Sequence, residues 1–200
     1  MTAPVEFFFD FASPYGYLAS ERIEGIASRH GRSVLWRPFL VGAAMKVSER
    51  KPLVSIPLIG DYAVHDIERF SRYWNIPLTI PSHWPIATVA ACRAFYLIAR
   101  TDQAAATQLA QALYRAYFRD DRDISVPETV VAVAAETGLD PVHLAEGIQS
   151  ENIKQAVRTV NDEALNRGVF GSPFIIVDSE GFWGADRLEQ VDQWLSRGGW

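Results

Sequence analysis

Val5-Glu6-Phe7-Phe8-Phe9-Asp10-Phe11 runs directly into Ala12-Ser13-Pro14-Tyr15-Gly16, and this junction decides the fold. An aromatic-rich run with Glu6 and Asp10 near its ends reads as a short buried strand. Ser13 is a favoured helix N-cap, and Pro14 a favoured first helical residue. Tyr15, Leu18, Ala19, Ile23, Ile26 and Ala27 then recur at helical spacing, and Gly31 closes the segment. Ser33-Val34-Leu35-Trp36-Arg37-Pro38-Phe39 predicts a second strand ended by proline. Strand, helix and strand make a βαβ unit, whose parallel crossover should be right-handed.

Beyond this unit the pattern changes. Residues 40–61 are punctuated by Gly42, Pro52, Pro57 and Gly60, predicting short helical pieces and loops. Helices are predicted over 62–74, 87–100, 103–119, 128–137, 141–149 and 151–167. Ser125 or Pro127 opens one and Asp140-Pro141 another, while Gly138 and Gly168 close two. Strand character returns at Phe174-Ile175-Ile176-Val177-Asp178. Ser179-Glu180-Gly181 is a turn and Phe182-Trp183 a second short strand, so a hairpin is expected. Residues 187–197 then place Leu188, Val191, Trp194 and Leu195 on one helical face. The chain reads β-α-β, a helical block, then β-β-α: an α/β protein with one mixed sheet. The domains expected are residues 1–40 together with 166–200, carrying the sheet, and an all-helical domain inserted as 41–165.

Bulk composition narrows the function classes. Of the 200 residues, 48% are apolar and 22% charged, which excludes wholesale disorder. A net charge of −5 gives no electrostatic footprint for nucleic acid and argues against docking on anionic lipid. No apolar stretch is long enough to cross a bilayer. Met1-Thr2-Ala3-Pro4 lacks a basic region, so no secretory leader is expected. A single cysteine, Cys92, excludes an internal disulfide and makes a cytoplasmic location the expectation. Cys92 lies in an apolar helical stretch, where an inert buried thiol is expected. The four histidines have no i, i+4 metal spacing, so no metal site is expected. No Gly-x-Gly-x-x-Gly follows the first strand, which removes the usual dinucleotide fingerprint.

Three separated elements could carry chemistry. Ser13 is explained by capping alone, yet a helix start at a strand's carboxyl end also presents free N–H groups and partial positive charge. Such a place lowers a thiol's pKa, and a hydroxyl donating to the sulfur adds a charge-assisted bond. Serine cannot form a disulfide, but it can hold a thiolate the chain does not own, glutathione's above all. Gly171-Ser172-Pro173-Phe174 is ordinary loop-to-strand punctuation, or a cis Ser172-Pro173 bond turning the Ser172 main chain outwards to pair with an extended peptide. In Trp183-Gly184-Ala185-Asp186-Arg187, Asp186 caps the last helix or grips the amino group of a γ-glutamyl moiety.

The chain resembles the 2-hydroxychromene-2-carboxylate isomerases and kappa-class glutathione transferases, in the DsbA-like branch of the thioredoxin superfamily. The resemblance rests on Phe-Phe-Phe-Asp-Phe-Ala-Ser-Pro-Tyr-Gly-Tyr-Leu-Ala at 7–19, Gly-Val-Phe-Gly-Ser-Pro at 168–173 and Phe-Trp-Gly-Ala-Asp-Arg at 182–187. It implies a thioredoxin-like sheet in which Ser13 stands where a redox Cys-x-x-Cys pair begins. It implies glutathione as cofactor, with Ser13 catalytic at its sulfur. Ser172 and Pro173 would face the cysteinyl unit, and Trp183, Gly184, Ala185 and Asp186 the glutamyl end. Lys46 matches a family lysine near the substrate, and Trp84 falls at an aromatic substrate contact. Arg50, where asparagine is common, bears on which acid is accepted; otherwise Lys46 reads as a surface lysine and Trp84 as a core aromatic. The implied partners are glutathione, a small aromatic carboxylic acid and a second copy of the chain. The implied reaction interconverts 2-hydroxychromene-2-carboxylate and trans-o-hydroxybenzylidenepyruvate; a glutathione transferase and a non-catalytic thiol-peptide binder are the alternatives.

Overall fold

The computed structural model describes residues 3–200. The leader expectation falls partly on Met1 and Thr2, which lie outside them. The sheet has four strands in the order β2-β1-β3-β4. Strand β1 (Val5–Phe9) pairs parallel with β2 (Val34–Pro38) and antiparallel with β3 (Phe174–Val177), which pairs antiparallel with β4 (Glu180–Trp183). The mixed α/β sheet expected from both chain ends is therefore present.

The aromatic run of β1 lacks a polar alternate because this inner strand is covered on both faces. Phe7 and Phe9 enter the main core beside Trp36, Phe95 and Tyr114, whereas Phe8 enters a second core with Phe39, Phe174 and Ile176. Each fully buried ring contributes roughly 1.5–3 kcal/mol. Edge-to-face contacts such as Phe7 on Trp36, with centroids 5.1 Å apart, add about 0.5–1.5 kcal/mol.

The segment read as one helix after Ser13 is two. Helix α1 (Pro14–Ser20) ends at Glu21, and α2 (Ile23–Arg29) starts after Arg22, whose φ of −123° is not helical. Tertiary contacts take both break residues. Glu21 accepts two bonds from Arg115, at 2.7 and 2.8 Å, and Arg22 lies 4.5 Å from the Trp74 ring centroid. Between β2 and β3 come α3 (Val41–Val47), a 3-10 turn at Leu53–Ser55, α4 (Ile59–Trp74), α5 (Val89–Ala99), α6 (Gln103–Phe118), α7 (Pro127–Glu136), α8 (Pro141–Gly147) and α9 (Glu151–Asn166). Helix α10 (Leu188–Arg197) closes the chain. Leu109, Leu113, Tyr114 and Val133 of this helical stretch belong to the same core as Phe7, Phe9 and Ile175 of the sheet. Among the described residues, no helix is long and apolar enough to cross a membrane.

Candidate active site

Past β1 the chain makes a tight turn in which Ser13 N–H donates to the Asp10 carbonyl at 2.9 Å. Ser13 is extended, with φ −91° and ψ 113°, and its Oγ accepts the Gly16 N–H at 3.0 Å, the geometry of an N-cap. The same hydroxyl donates to the Ser172 carbonyl at 2.9 Å, across a sequence separation of 159. Pro14 has no N–H, so Tyr15 supplies the first backbone donor of α1. A hydroxyl, a backbone amide and the positive end of a helix meet at one place.

The Ser172–Pro173 bond is cis. Its carbonyl side faces Ser13, while Ser172 Oγ accepts the Asp10 N–H at 2.9 Å. Gly184 N–H donates to the Pro173 carbonyl at 3.0 Å, which draws the end of β4 beside this loop. Gly171 lies under the Trp183 indole, where a Cβ would stand 2.2 Å from Nε1. Gly184 has φ +114°, and a Cβ on it would stand 2.3 Å from Asp186 Oδ1. Asp186 lies in the 3-10 turn Ala185–Arg187 and pairs with Arg187 at 2.9 Å. It does not cap α10, whose N-cap is Arg187 with no side-chain bond. Strand order thus gathers Ser13, Ser172, Pro173, Trp183, Gly184, Ala185 and Asp186 at one end of the sheet.

The residues expected to meet an organic substrate come from the helical stretch. Trp84 donates its indole N–H to the Ala12 carbonyl at 2.8 Å, beside Ser13, and its bond to Pro85 is also cis. Arg50 is exposed, with its guanidinium 5.3 Å from the Phe170 ring centroid and 5.4 Å from that of Trp183. These cation–π contacts place it beside Trp183, at the end of β4. Lys46 is exposed in the last turn of α3. Neither cation has an ion-pair partner among the described residues.

Two residues beneath Ser13 escaped the sequence reading. Tyr114, fully buried on α6, donates its phenol to the Asp10 carbonyl at 2.9 Å, and a Cβ on Gly16 would stand 2.5 Å from that phenol oxygen. Gly16 is therefore the gap that admits Tyr114. Asp10, read as a strand-end charge, is only 4% exposed, and burial pushes its carboxyl up. A charge inside an otherwise aromatic run was the only cue. Cys92 is buried on α5, and burial pushes its thiol well above the usual range. Among the described residues, no cluster of His, Cys, Asp and Glu could hold a metal ion.

Fold and site together define a thioredoxin-type protein whose first helix opens on a serine and whose one thiol is that of the buried Cys92. A family model described as a DSBA-like thioredoxin domain matches residues 4–196, and the chain belongs to that family. Within it the chain falls among the 2-hydroxychromene-2-carboxylate isomerases and kappa-class glutathione transferases. It is 30% identical to the 2-hydroxychromene-2-carboxylate isomerase of Sphingobium xenophagum, over 98% of this chain and 99% of that one. It is 24% identical to glutathione S-transferase kappa 1 of Caenorhabditis elegans, over 96% and 91% of the two chains. A solved 2-hydroxychromene-2-carboxylate isomerase superposes with a TM-score of 0.87 at 23% identity, covering 96% of this chain and 94% of that one. The cytosolic disulfide reductase DsbM of Pseudomonas aeruginosa, solved with GSH, gives 0.66 at 14% identity, with 96% of each chain covered.

Proposed function

We propose that this protein is a glutathione-dependent isomerase that interconverts 2-hydroxychromene-2-carboxylate and trans-o-hydroxybenzylidenepyruvate, or a related unsaturated aromatic acid. The observation carrying the proposal is the single hydroxyl of Ser13, which holds the start of α1 and the Ser172 carbonyl at once. Isomerases of that name among the relatives support the reaction class.

The donor set fits a thiol tripeptide. Ser13 O–H and Ser172 C=O satisfy each other in the free protein. On binding, the carbonyl would accept the cysteinyl N–H while the hydroxyl turns to the sulfur, so neither group is left unpaired. Asp186 would exchange Arg187 for the glutamyl ammonium, with Trp183, Gly184 and Ala185 lining that end. Pro173 would shape the wall beside the cysteinyl unit. Bound glutathione would supply a nucleophilic thiolate for reversible conjugate addition, and it would be regenerated unchanged.

Ser13 and the Tyr15 amide hold negative charge at the sulfur position. Lys46 and Arg50 take the substrate carboxylate or its developing enolate charge. Trp84, pinned to Ala12, offers its ring to the aromatic acid. A cytoplasmic homodimer completes the reading.

The test is Ser13→Ala. Loss of the cap costs about 0.5–2 kcal/mol of stability. Turnover should fall by about 100-fold or more, as when one donor to a developing anion is removed. Turnover reduced no more than the folded fraction would overturn the assignment. A kappa-like transferase is the second reading, favoured by the kappa-class relatives. Mass spectrometry separates the two: an isomerase leaves substrate mass unchanged, whereas a transferase adds glutathione. Tight glutathione binding without turnover would instead identify a binding module.

A further inference from the structure

Strand β1 ends on a carboxylate that water scarcely reaches. Asp10 Oδ1 accepts the Ala12 N–H at 2.9 Å and the Thr88 hydroxyl at 2.8 Å, and Oδ2 accepts the Val41 N–H at 2.7 Å. Its main chain is equally engaged. The N–H donates to Ser172 Oγ at 2.9 Å, and the carbonyl accepts Ser13 N–H and the Tyr114 phenol, each at 2.9 Å.

No cation pairs with this carboxylate among the described residues. The ionisable groups that feel it are the thiol of Cys92 on α5 and the phenols of Tyr114 and Tyr117 on α6, all pushed toward the protonated form by burial. An unpaired buried carboxylate is costly, and a fold that needed only to end a strand would be better served by a neutral side chain.

The bonds explain what the carboxylate does. Ala12 precedes Ser13. Val41 opens α3, whose last turn carries Lys46. Thr88 is the N-cap position of α5, and Trp84 lies just ahead of it on the same connection. One side chain therefore sets the spacing of three chain segments that share no covalent neighbour and that each carry a site residue. We infer that Asp10 is a positioning residue that holds Ser13, Lys46 and Trp84 in register for the reaction. The inference rests on the glutathione-dependent reading for its kinetic consequence, but not for its structural one.

The tests are Asp10→Asn, which keeps the shape but turns an NH2 toward either the Val41 or the Ala12 N–H, and Thr88→Val, which removes one donor to the carboxylate. With glutathione saturating, Asp10→Asn should lower kcat by about 30- to 100-fold, with glutathione affinity within about threefold of the parent. Thr88→Val should lower kcat several-fold in the same direction. Hydrogen exchange supplies a readout independent of turnover. In Asp10→Asn the amides of Ala12, Val41 and the first turn of α5 should accelerate together, while the distal amides of α8 and α9 stay protected. Unchanged kcat in folded Asp10→Asn, or acceleration spread evenly over the chain, would overturn the inference while leaving the function intact. If the parent neither binds glutathione nor turns over, the function falls, and joint acceleration at the three segments still decides the role of Asp10. Should Asp10→Asn fail to fold, Thr88→Val decides by kcat and by exchange at Ala12 and Val41; no change in either would refute the linkage.

Discussion

Replacing Gly16 by alanine should destabilise the protein even though alanine is the better helix former. An added Cβ stands 2.5 Å from the Tyr114 phenol oxygen, 2.9 Å from Ser172 Oγ and 3.2 Å from Ser13 Cβ. Tyr114 cannot swing away easily, because its ring packs against Phe9 and Phe11 with centroids 5.4 and 5.2 Å apart. Its hydroxyl is also bound to the Asp10 carbonyl. Overpacking of this kind costs about 1–3 kcal/mol, and the rigidity of the obstructing ring puts it in the upper half of that range. The helix gains about 1 kcal/mol from losing glycine. The net loss should be about 1–2 kcal/mol. Tyr114→Phe alone should cost about 0.5–1.5 kcal/mol for its hydrogen bond, since Ser13 N–H still serves the Asp10 carbonyl. In the double variant the missing oxygen makes room for the methyl group, so the combined loss should fall short of the sum by about 1 kcal/mol. Urea unfolding with an unchanged m-value measures all four proteins. A Gly16→Ala protein as stable as the parent, or a cycle additive within about 0.5 kcal/mol, would refute the packing argument.

Two further predictions address charge. Arg167, by hydrogen bond first, and then Arg37 hold the Glu6 carboxyl below its ordinary value of 4.5, against the opposing effect of burial. The stability Glu6 confers is therefore present above that value and lost as pH falls through the lowered one, so the gap between parent and Glu6→Gln should narrow from about pH 6 to about pH 3; a gap independent of pH would refute it. Asp186→Asn should weaken glutathione binding about tenfold in calorimetry while changing stability by less than about 0.5 kcal/mol, and unaltered affinity would remove Asp186 from the glutamyl contact.

Local signals carried most of the architecture. Ser13 before Pro14 and the Pro127 and Asp140-Pro141 helix starts are decided by the conformational preferences of a few adjacent residues, and each appears where expected. The hairpin is present too, but its turn is Asp178-Ser179, and Glu180 and Gly181, expected in the turn, already belong to β4. What could not be read depends on partners distant in sequence. The break at Glu21 and Arg22 exists because Arg115 and Trp74 draw those side chains away. The burial of Asp10 exists because Val41 and Thr88 fold over it. Arg50 stacks on Phe170 and Trp183 only once the helical stretch returns to the sheet edge. The same division holds at the candidate site, where residue types were legible in three motifs while their mutual hydrogen bonds were not. The bond from Ser13 to Ser172 joins two of those motifs, and neither announces it.

The entombed thiol of Cys92 has a consequence for how oxidants would reach this protein. Its single sulfhydryl is fully buried, and that burial favours the unreactive protonated form, so peroxide has no sulfenic-acid switch to throw on the polypeptide. A catalyst of the proposed kind would then idle when the cell's reduced tripeptide runs short and resume when the pool recovers, with no covalent scar at that cysteine to repair.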